Sequence, residues 1–584
     1  MAFIKAEIRK GAYYDSAFLM QLQRTFSDLP GVQDAGVVMG TDTNKELLAR
    51  IDLLSPEVES AKADDLIVVV RADDEAGATH NLGRLDELLS QRRSAIEQDY
   101  HPQSVEMAAK MLPDSSWVLV SVAGRYAAGV SRDALALGKH VFLFSDNVSV
   151  EDEISLKELA AKKGLLVMGP DCGTAIIRGM GLGFANKVRL GPIGVVAAAG
   201  TGLQQVSARI HQLGSGMTFG IGTGGRDLSE KIGAKTFSMG VDLLSRDPDT
   251  KVIVLVSKPP SPKVAQAVLE QARSAGKPVV ISFVGYMARS RQLENLIFAH
   301  GLDDAARIAV DLVKTGISKT TSQVSLNKNG LATIPTDKFA AGQRYLRGLF
   351  SGGTLAYEAQ HILKDYLPRV FANAPIDKEM KLPNALVSQE HSIVDLGEDE
   401  FTVGRLHPMM DNELRIRRLM EEAADPSVAV IMLDVVIGYG SHADPASELA
   451  PAVAEAKALA QKAGRYLEVV AVVTGTDEDP QNINSQIAQL KKVGAWVDVD
   501  NEVVVRYVGA LVQSLNKAEA QDTFSFTPVD LDGLKRPLEA INVGLESFAQ
   551  NLTAQGVQVM HVNWRPPAGG NEKLASILQR MKQQ

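Results

Sequence analysis

The chain repeats itself, and the repeat restricts its fold more than any other feature. Residues 191–285 contain, in order, GPIGVVAAAGTGLQQ, FGIGTGGRDLSE, DPDTKVIVLVSKPPSP and AGKPVVISFVG. Residues 346–475 contain LRGLFSGGTLAYEA, SIVDLGEDEF, DPSVAVIMLDVVIGYGSHADP and AGRYLEVVAVVTG. Both carry Asp-Pro-x-x-x-Val-Ile-x-Leu, from Asp247 and from Asp425, then an Ala-Gly pair ahead of the next strand. Such self-similarity implies two copies of one supersecondary unit. In each copy uncut apolar strands alternate with helix-like stretches, the pattern of a parallel sheet covered on both faces. Each copy is therefore predicted to be a flavodoxin-like α/β unit, over 191–317 and 343–516, with the polar stretch 318–342 as a linker.

The remaining length is read around this pair. At 584 residues the chain is too long for one core, and about four domains is the expectation. Residues 1–108 read as two strand–helix–strand halves, a small ferredoxin-like α+β domain closing on a helix at NLGRLDELLSQRRSAIEQD. Residues 109–190 alternate strand and helix strictly, as WVLVSVAG, YAAGVSRDALALG, HVFLFSD, VEDEISLKELAAKKG and LLVMGPDCGT, which is a Rossmann-like α/β domain. Residues 517–584 form a C-terminal tail, with PLEAINVGLESFAQNLTAQG as a helix and VQVMHVNW as a strand.

Composition excludes several functions. A formal charge of −9 argues against nucleic acid. One cysteine, Cys172, rules out a disulfide framework and a thiolate zinc site. The start MAFIKAEIRKGAYYDS carries charges inside its apolar run, unlike a signal peptide, and no long uncharged apolar run spans a membrane. The expected location is cytoplasmic. No histidine pair has metal spacing and no GxxxxGK[ST] loop occurs, so no metal and no cofactor is expected.

Two strand-to-helix turns carry the chemistry: Gly200, Thr201 and Gly202 in the first copy, and Ser351, Gly352, Gly353 and Thr354 in the second. In open α/β sheets ligands sit beyond the carboxyl ends of the strands. Glycines there let backbone amides approach an anion, and the helix start adds unpaired N–H groups and partial positive charge. If the copies pack about a pseudo-twofold axis, both helix starts aim at one phosphate or carbamoyl phosphate, with Thr201 and Thr354 each adding a hydroxyl. GIGTGG with Arg226 offers a second edge, Gly224 and Gly225 giving close approach and Arg226 a carboxylate anchor, or else only a flexible turn. The loop Asp171, Cys172, Gly173, Thr174 is a substrate-contacting candidate. Cys172 is either a nucleophile needing a base or a small loop side chain. His442 lies past the second Asp-Pro strand, within reach of a ligand. No catalytic residue is assigned. The acidic DLGEDEF stands where the first copy has GIGTGG, so the halves differ chemically, which suits a substrate with unlike ends.

HVFLFSDNVSVEDEISLKELAAKKGLLVMGPDCGTAII, GTGGRDLSEKIG, VIGYGSHADPA and HVNWRPPAGG resemble the FdrA family, which looks like a succinyl-CoA synthetase alpha subunit joined to a relative of the beta-subunit ligase domain. The resemblance covers essentially the whole chain. It implies that the paired turns begin helices cradling a phosphate. The synthetase loop Gly-His-Ala-Gly-Ala does not follow KPVVISFVG here, and FIKAEIRKGAYYDSAF lacks the glycine fingerprint for CoA. The family likeness implies a subunit of an oxamate carbamoyltransferase, interconverting oxalurate plus phosphate with oxamate plus carbamoyl phosphate in purine (allantoin) catabolism. Companion subunits and a homo-oligomer are the implied partners. The alternatives are an acyl-CoA synthetase of the succinate–CoA ligase type, working through another histidine such as His442, or a non-catalytic metabolite-binding scaffold. Trp564 and Arg565 in the tail are candidate docking anchors or caps on an exposed sheet edge.

Overall fold

The computed structural model describes residues 3–10, 16–27, 29–41, 44–45, 48–49, 53–62, 65–89, 102, 104–286, 290–316, 336–402, 405–516, 539–543 and 546–562. It divides into two units, 1–516 and 517–584.

The architecture is mixed α/β, with a small α+β domain ahead of a Rossmann-like sheet and two ligase-type sheets. The N-terminal sheet is antiparallel, Leu66–Ala72 lying between Phe3–Arg9 and Val32–Met39. A helix starts earlier than the one predicted over NLGRLDELLSQRRSAIEQD, at Glu75, where Asp74 accepts the Gly77 N–H at 2.7 Å as an N-cap, and turns at Gly83. Residues 85–89 are helical as predicted, and 90–99 lie outside the described residues.

Trp117–Val120, His140–Leu143 and Val167–Met168 form a three-stranded parallel sheet, with helices Gly124–Ala136 and Val150–Lys163 as crossovers. The segment that follows departs from the sequence reading. Thr174–Ile177 and Met180–Gly183 form a hairpin within the predicted Rossmann-like span, yet Thr174–Ile177 pairs antiparallel with Met217–Gly222 of the next sheet. Five residues separate Met168 from Thr174, and through them the chain leaves one sheet for another.

The repeats fold alike. In the first, the parallel strands run in the order Met217–Gly222, Leu190–Ala198, Val252–Ser257, Val279–Phe283, Leu296–Phe298. In the second the order is Ser392–Asp395, Tyr345–Phe350, Val428–Val436, Glu468–Thr474, Trp496–Asp498, with the short Phe371–Ala372 added at one edge. Numbered within each repeat, both read 2-1-3-4-5, the flavodoxin-like order, which places its ligand crevice between strands 1 and 3. The predicted turns are the ones that leave strand 1 in each copy.

The halves share one core. Leu203, Val206 and Ile210 of helix Gly200–Gln212 and Leu302 and Ala305 of helix Leu302–Thr315 belong to the same buried apolar cluster as Leu355 and Ala359 of helix Gly353–Leu363 and Val504 and Val508 of helix Asn501–Leu515. Polar bridges fix their register. Gln205 Nε2 donates to Val499 O at 2.9 Å while its Oε1 accepts from Thr474 Oγ1 at 2.5 Å, and Glu358 accepts from Leu302 N–H and Asn501 Nδ2, both at 2.8 Å. Gln205 and Glu358 are thereby hydrogen-bonded across the seam, as burial requires.

In the C-terminal unit, Glu539–Val543 and Gln558–Val562 pair in parallel around helix Glu546–Ala554. The single helix expected over PLEAINVGLESFAQNLTAQG is therefore half strand: Ile541 and Val543 alternate as β-branched residues before the helical stretch starts. Trp564 and Arg565, and residues 317–335 of the linker, lie outside the described residues.

Candidate functional site

The two helix starts meet. Helix Gly200–Gln212 follows its strand after Ala199, and helix Gly353–Leu363 follows its strand after Ser351 and Gly352. Thr354 N–H donates to Thr201 Oγ1 at 3.3 Å across the seam. A methyl group on Gly352 would lie 2.8 Å from Thr201 Cβ and Oγ1 and closer still to Cγ2, and one on Gly202 would lie 2.8 Å from Thr354 Cγ2. Only glycine at these positions lets the turns approach so closely. Neither turn has a side-chain N-cap, so the first-turn amides are not used up locally.

Around the first turn, Asp171, Cys172, Gly173, Thr174, Ala199, Gly200, Thr223 and Gly224 line a small recess of about 10 Å³, room for about one water-sized group. The Asp171 and Gly224 loops were singled out on different segments of sequence; the fold puts both against Gly200. Cys172 is buried, its Sγ directed at Thr174 O at 3.4 Å, and burial pushes its thiol up to about 12. It is a small loop side chain, not a nucleophile. Thr174 Oγ1 donates to Phe184 O at 2.7 Å and so braces the hairpin.

Arg226 is already engaged. Its guanidinium meets Glu153 at 3.0 Å and Val148 O at 2.9 Å, tying the Gly-rich loop to helix Val150–Lys163. Beneath it Lys157, wholly buried, donates to Glu153 at 2.8 Å, Asp227 at 2.7 Å and Thr223 O at 3.0 Å. Gly224, Gly225 and Arg226 thus sit on a loop held by the preceding domain, and the Arg226 carboxylate anchor predicted from sequence is spent on Glu153.

The second turn is differently furnished. Ser351 N–H and Oγ both donate to Asp434 Oδ1, at 2.7 and 2.9 Å, and Arg415 holds the same oxygen at 2.9 Å. Ser351 therefore serves the buried Asp434–Arg415 pair, which no motif announced. Above Gly353 sit two charged groups: a methyl there would lie 2.5 Å from Asp395 Oδ2 and 2.7 Å from Lys258 Nζ. Lys258 follows strand Val252–Ser257 of the first half, reaches the second half's turn, and lies 5.3 Å from the Tyr357 ring centroid and 3.5 Å from Glu398 Oε1. Burial raises the Asp395 carboxyl to about 7, Lys258 pulling the other way. Position alone marks Lys258, since it stands at a strand's carboxyl end beside the crevice; sequence reasoning passed over it because a lone lysine in Ser-Lys-Pro-Pro matches no pattern.

His442 does not line the recess. Its Nδ1 accepts from Asp444 N–H at 3.1 Å and its Nε2 lies 3.4 Å from Glu448, so it organises the start of helix Pro445–Lys462. The neighbouring Gly438 and Tyr439 pack on Ala185, joining the second half to the hairpin segment. His300 follows strand Leu296–Phe298, three strands from Leu190–Ala198, about 14 Å at sheet spacing. The Rossmann-like sheet begins at Trp117, so its first glycine turn is the one at Gly124 and not any part of residues 3–18. There Asp146 O and Asn147 O crowd the glycine, the latter 2.6 Å from a methyl's place. Only glycine fits at that position.

Among the described residues no cluster of histidine, cysteine or carboxylate side chains has the arrangement of a metal site, and no helix is long and apolar enough to cross a membrane.

Comparison with known proteins agrees with this architecture. Residues 349–511 match the CoA-ligase family and residues 1–105 match the AllF heavy metal-associated domain. The chain's one cysteine lies outside the latter span, so a thiolate pair is not available there. The chain is 42% identical over 492 residues to the uncharacterized protein YahF of Escherichia coli K12, covering 84% of this chain and 95% of that one. It is 26% identical over 175 residues to the malate–CoA ligase alpha subunit of Methylorubrum extorquens, covering 29% of this chain and 58% of that one. It is also 26% identical over 179 residues to a succinate–CoA ligase alpha subunit of Archaeoglobus fulgidus, covering 30% and 59%. With an N-terminal AllF-type domain, a ligase domain at its other end, and YahF matched nearly end to end, the chain belongs to the FdrA family of succinyl-CoA-synthetase-like fusions.

Proposed function

We propose that this chain is an enzyme, or the active subunit of one, that makes or breaks an acyl phosphate of a small carboxylic acid or its amide. The observation that carries the reading is the contact of Thr201 with Gly352 and Thr354, which brings two helix starts to one point. Two such ends supply partial positive charge and free amides where a phosphate and a developing oxyanion need them. The relationship to CoA ligases supports the acyl-phosphate chemistry itself. In that reading the phosphate sits at the Gly200 and Gly353 turns, and the Asp171–Thr174 and Gly224–Gly225 loops flank the acyl part.

A second reading, carbamoyl transfer, is favoured by one observation: residues 284–299 hold no histidine to accept a phosphoryl group. Free phosphate then attacks the carbamoyl carbon of oxalurate, and the C–N bond breaks as the oxamate nitrogen takes a proton. Companion subunits belong to this reading.

One experiment separates the two. The purified chain, alone and with its co-encoded partners, is followed by phosphorus NMR in two mixtures. The first holds ATP, magnesium, CoA and succinate or malate; the second holds oxalurate and phosphate. Conversion of ATP to ADP and phosphate that requires both the acid and CoA supports the ligase in the first mixture, and carbamoyl phosphate in the second supports the transferase. Absence of both, that turnover in the first and carbamoyl phosphate in the second, ends the proposal.

A further inference from the structure

We propose that Lys258 is the anion anchor of this site, a lysine delivered by the first half onto the helix start of the second, where it binds the phosphate or carboxylate of the substrate. The inference rests on the acyl-phosphate reading and names the residue that makes its two halves unlike.

Geometry places the ammonium where only glycine leaves room. A side chain at 353 would run into both Lys258 Nζ at 2.7 Å and Lys258 Cε at 3.1 Å. The helix beginning there, Gly353–Leu363, carries about half a positive charge at this end. A cation beside it is repelled unless negative charge lies between them. Asp395, Glu398 and Asp171 supply part of that charge, yet among the described residues Glu398 is the one carboxylate within 4.0 Å of Nζ, and at 3.5 Å it is a long partner for a group with three donors. The ammonium therefore keeps donor capacity facing the turn. Independently, Thr354 Oγ1 in the same turn is fully buried and has no hydrogen-bond partner, a polar atom left over in a place where burial normally forbids it. An anion oxygen between Lys258 and the turn satisfies both.

The partner half has no equivalent. Its matching strand, Val428–Val436, runs on into Ile437 and Gly438; Ile437 is buried, and the Gly438 N–H and C=O are both bonded to Gln481. A lysine on one side and a recess bearing the Asp171 carboxyl on the other fix which end of an unsymmetrical substrate goes where. The anion goes to Gly353 and Lys258, and the uncharged end goes to the recess beside Gly200. Tyr357, one turn along the helix, faces the ammonium itself, its ring centroid 5.3 Å from Nζ.

The test uses the full chain and two probes, inorganic phosphate and oxamate, with binding read by calorimetry and folding by thermal unfolding. Lys258→Met is expected to weaken phosphate binding at least tenfold with little change in Tm. Lys258→Arg is expected to restore part of it, and Gly353→Ala, which keeps the lysine but fills its notch, to weaken it as well. If oxamate binding falls alone, the anchored group is the carboxylate; if phosphate binding falls alone, it is the phosphate. Wild-type affinity in Lys258→Met overturns the anchor while leaving the acyl-phosphate reading intact. Absence of phosphate and oxamate binding in the wild type overturns both. If Lys258→Met does not fold, Lys258→Gln and Gly353→Ala decide, and unchanged affinity in either refutes the proposal.

Discussion

Gly352→Ala is the sharpest probe of the seam. The backbone there is ordinary extended chain, φ −137 and ψ 115, so alanine carries no conformational strain. The whole effect is steric. The new methyl would stand 2.8 Å from Thr201 Cβ and Oγ1, well inside the roughly 3.5 Å of a comfortable carbon contact, with Thr201 Cγ2 nearer still. Thr201 is 5% exposed and lies in the first turn of a buried helix, so it has no free direction in which to yield. Overpacking of this kind costs about 1–3 kcal/mol, and the upper part of that range is expected. Thr201→Gly removes every colliding atom and by itself costs about 1 kcal/mol for glycine in a helix. In that background Gly352→Ala should cost less than about 0.5 kcal/mol, giving a coupling of at least about 1.5 kcal/mol. A multidomain chain does not unfold in one step, so the cycle needs a local reporter. Trp496, stacked on Tyr507 within the second half, serves once Trp117 and Trp564 are replaced by phenylalanine. Urea midpoints from its fluorescence give the four energies. Additivity within about 0.5 kcal/mol would refute the direct contact of the two turns and, with it, the shared anion site.

Other outcomes follow from the same geometry. Lys157→Met leaves Glu153 and Asp227 buried without their shared cation and should destabilise the 109–317 region by about 3–5 kcal/mol, measured as a lowered urea midpoint at Trp117. Cys172 should resist iodoacetamide in the native protein at pH 8 and react fully in urea, since its thiol is buried and held near 12; rapid native labelling contradicts that placement. Binding of sulfate, whose charge does not change near neutrality, should weaken as pH rises through 7. Burial raises both Asp395 and Asp171 to about 7, so each is protonated below that value and repels the dianion above it; Asp395→Asn should lessen the slope, and Asp395→Asn with Asp171→Asn should flatten it.

How far the sequence reached depends on the range of the interactions involved. Strand 1 and its turn are local patterns of apolar run, glycines and helix, so Gly200–Gly202 and Ser351–Thr354 are legible as strand-to-helix turns, and the duplication predicts their convergence. The Asp171–Thr174 stretch is legible as a loop from its own residues. What escaped depends on partners far along the chain. Ser351 looks like a phosphate ligand until Asp434, 83 residues away, takes both its donors. Arg226 looks free until Glu153 is folded against it. The 174–183 hairpin has ordinary strand composition, and nothing local shows which sheet it will extend. Lys258 acquires meaning only beside Gly353, in the other copy.

The common core of the two repeats has a consequence for how the site behaves in solution. Where two separate subunits meet at such a seam, dilution takes the site apart and its activity follows a dissociation constant. Here one polypeptide carries both partners, each held near the other at a high effective concentration. The pairing of Thr201 with Thr354 is then a folding event of first order. Specific activity in any assay of the chain should stay constant on dilution to nanomolar concentrations, unless a second protein completes the catalyst.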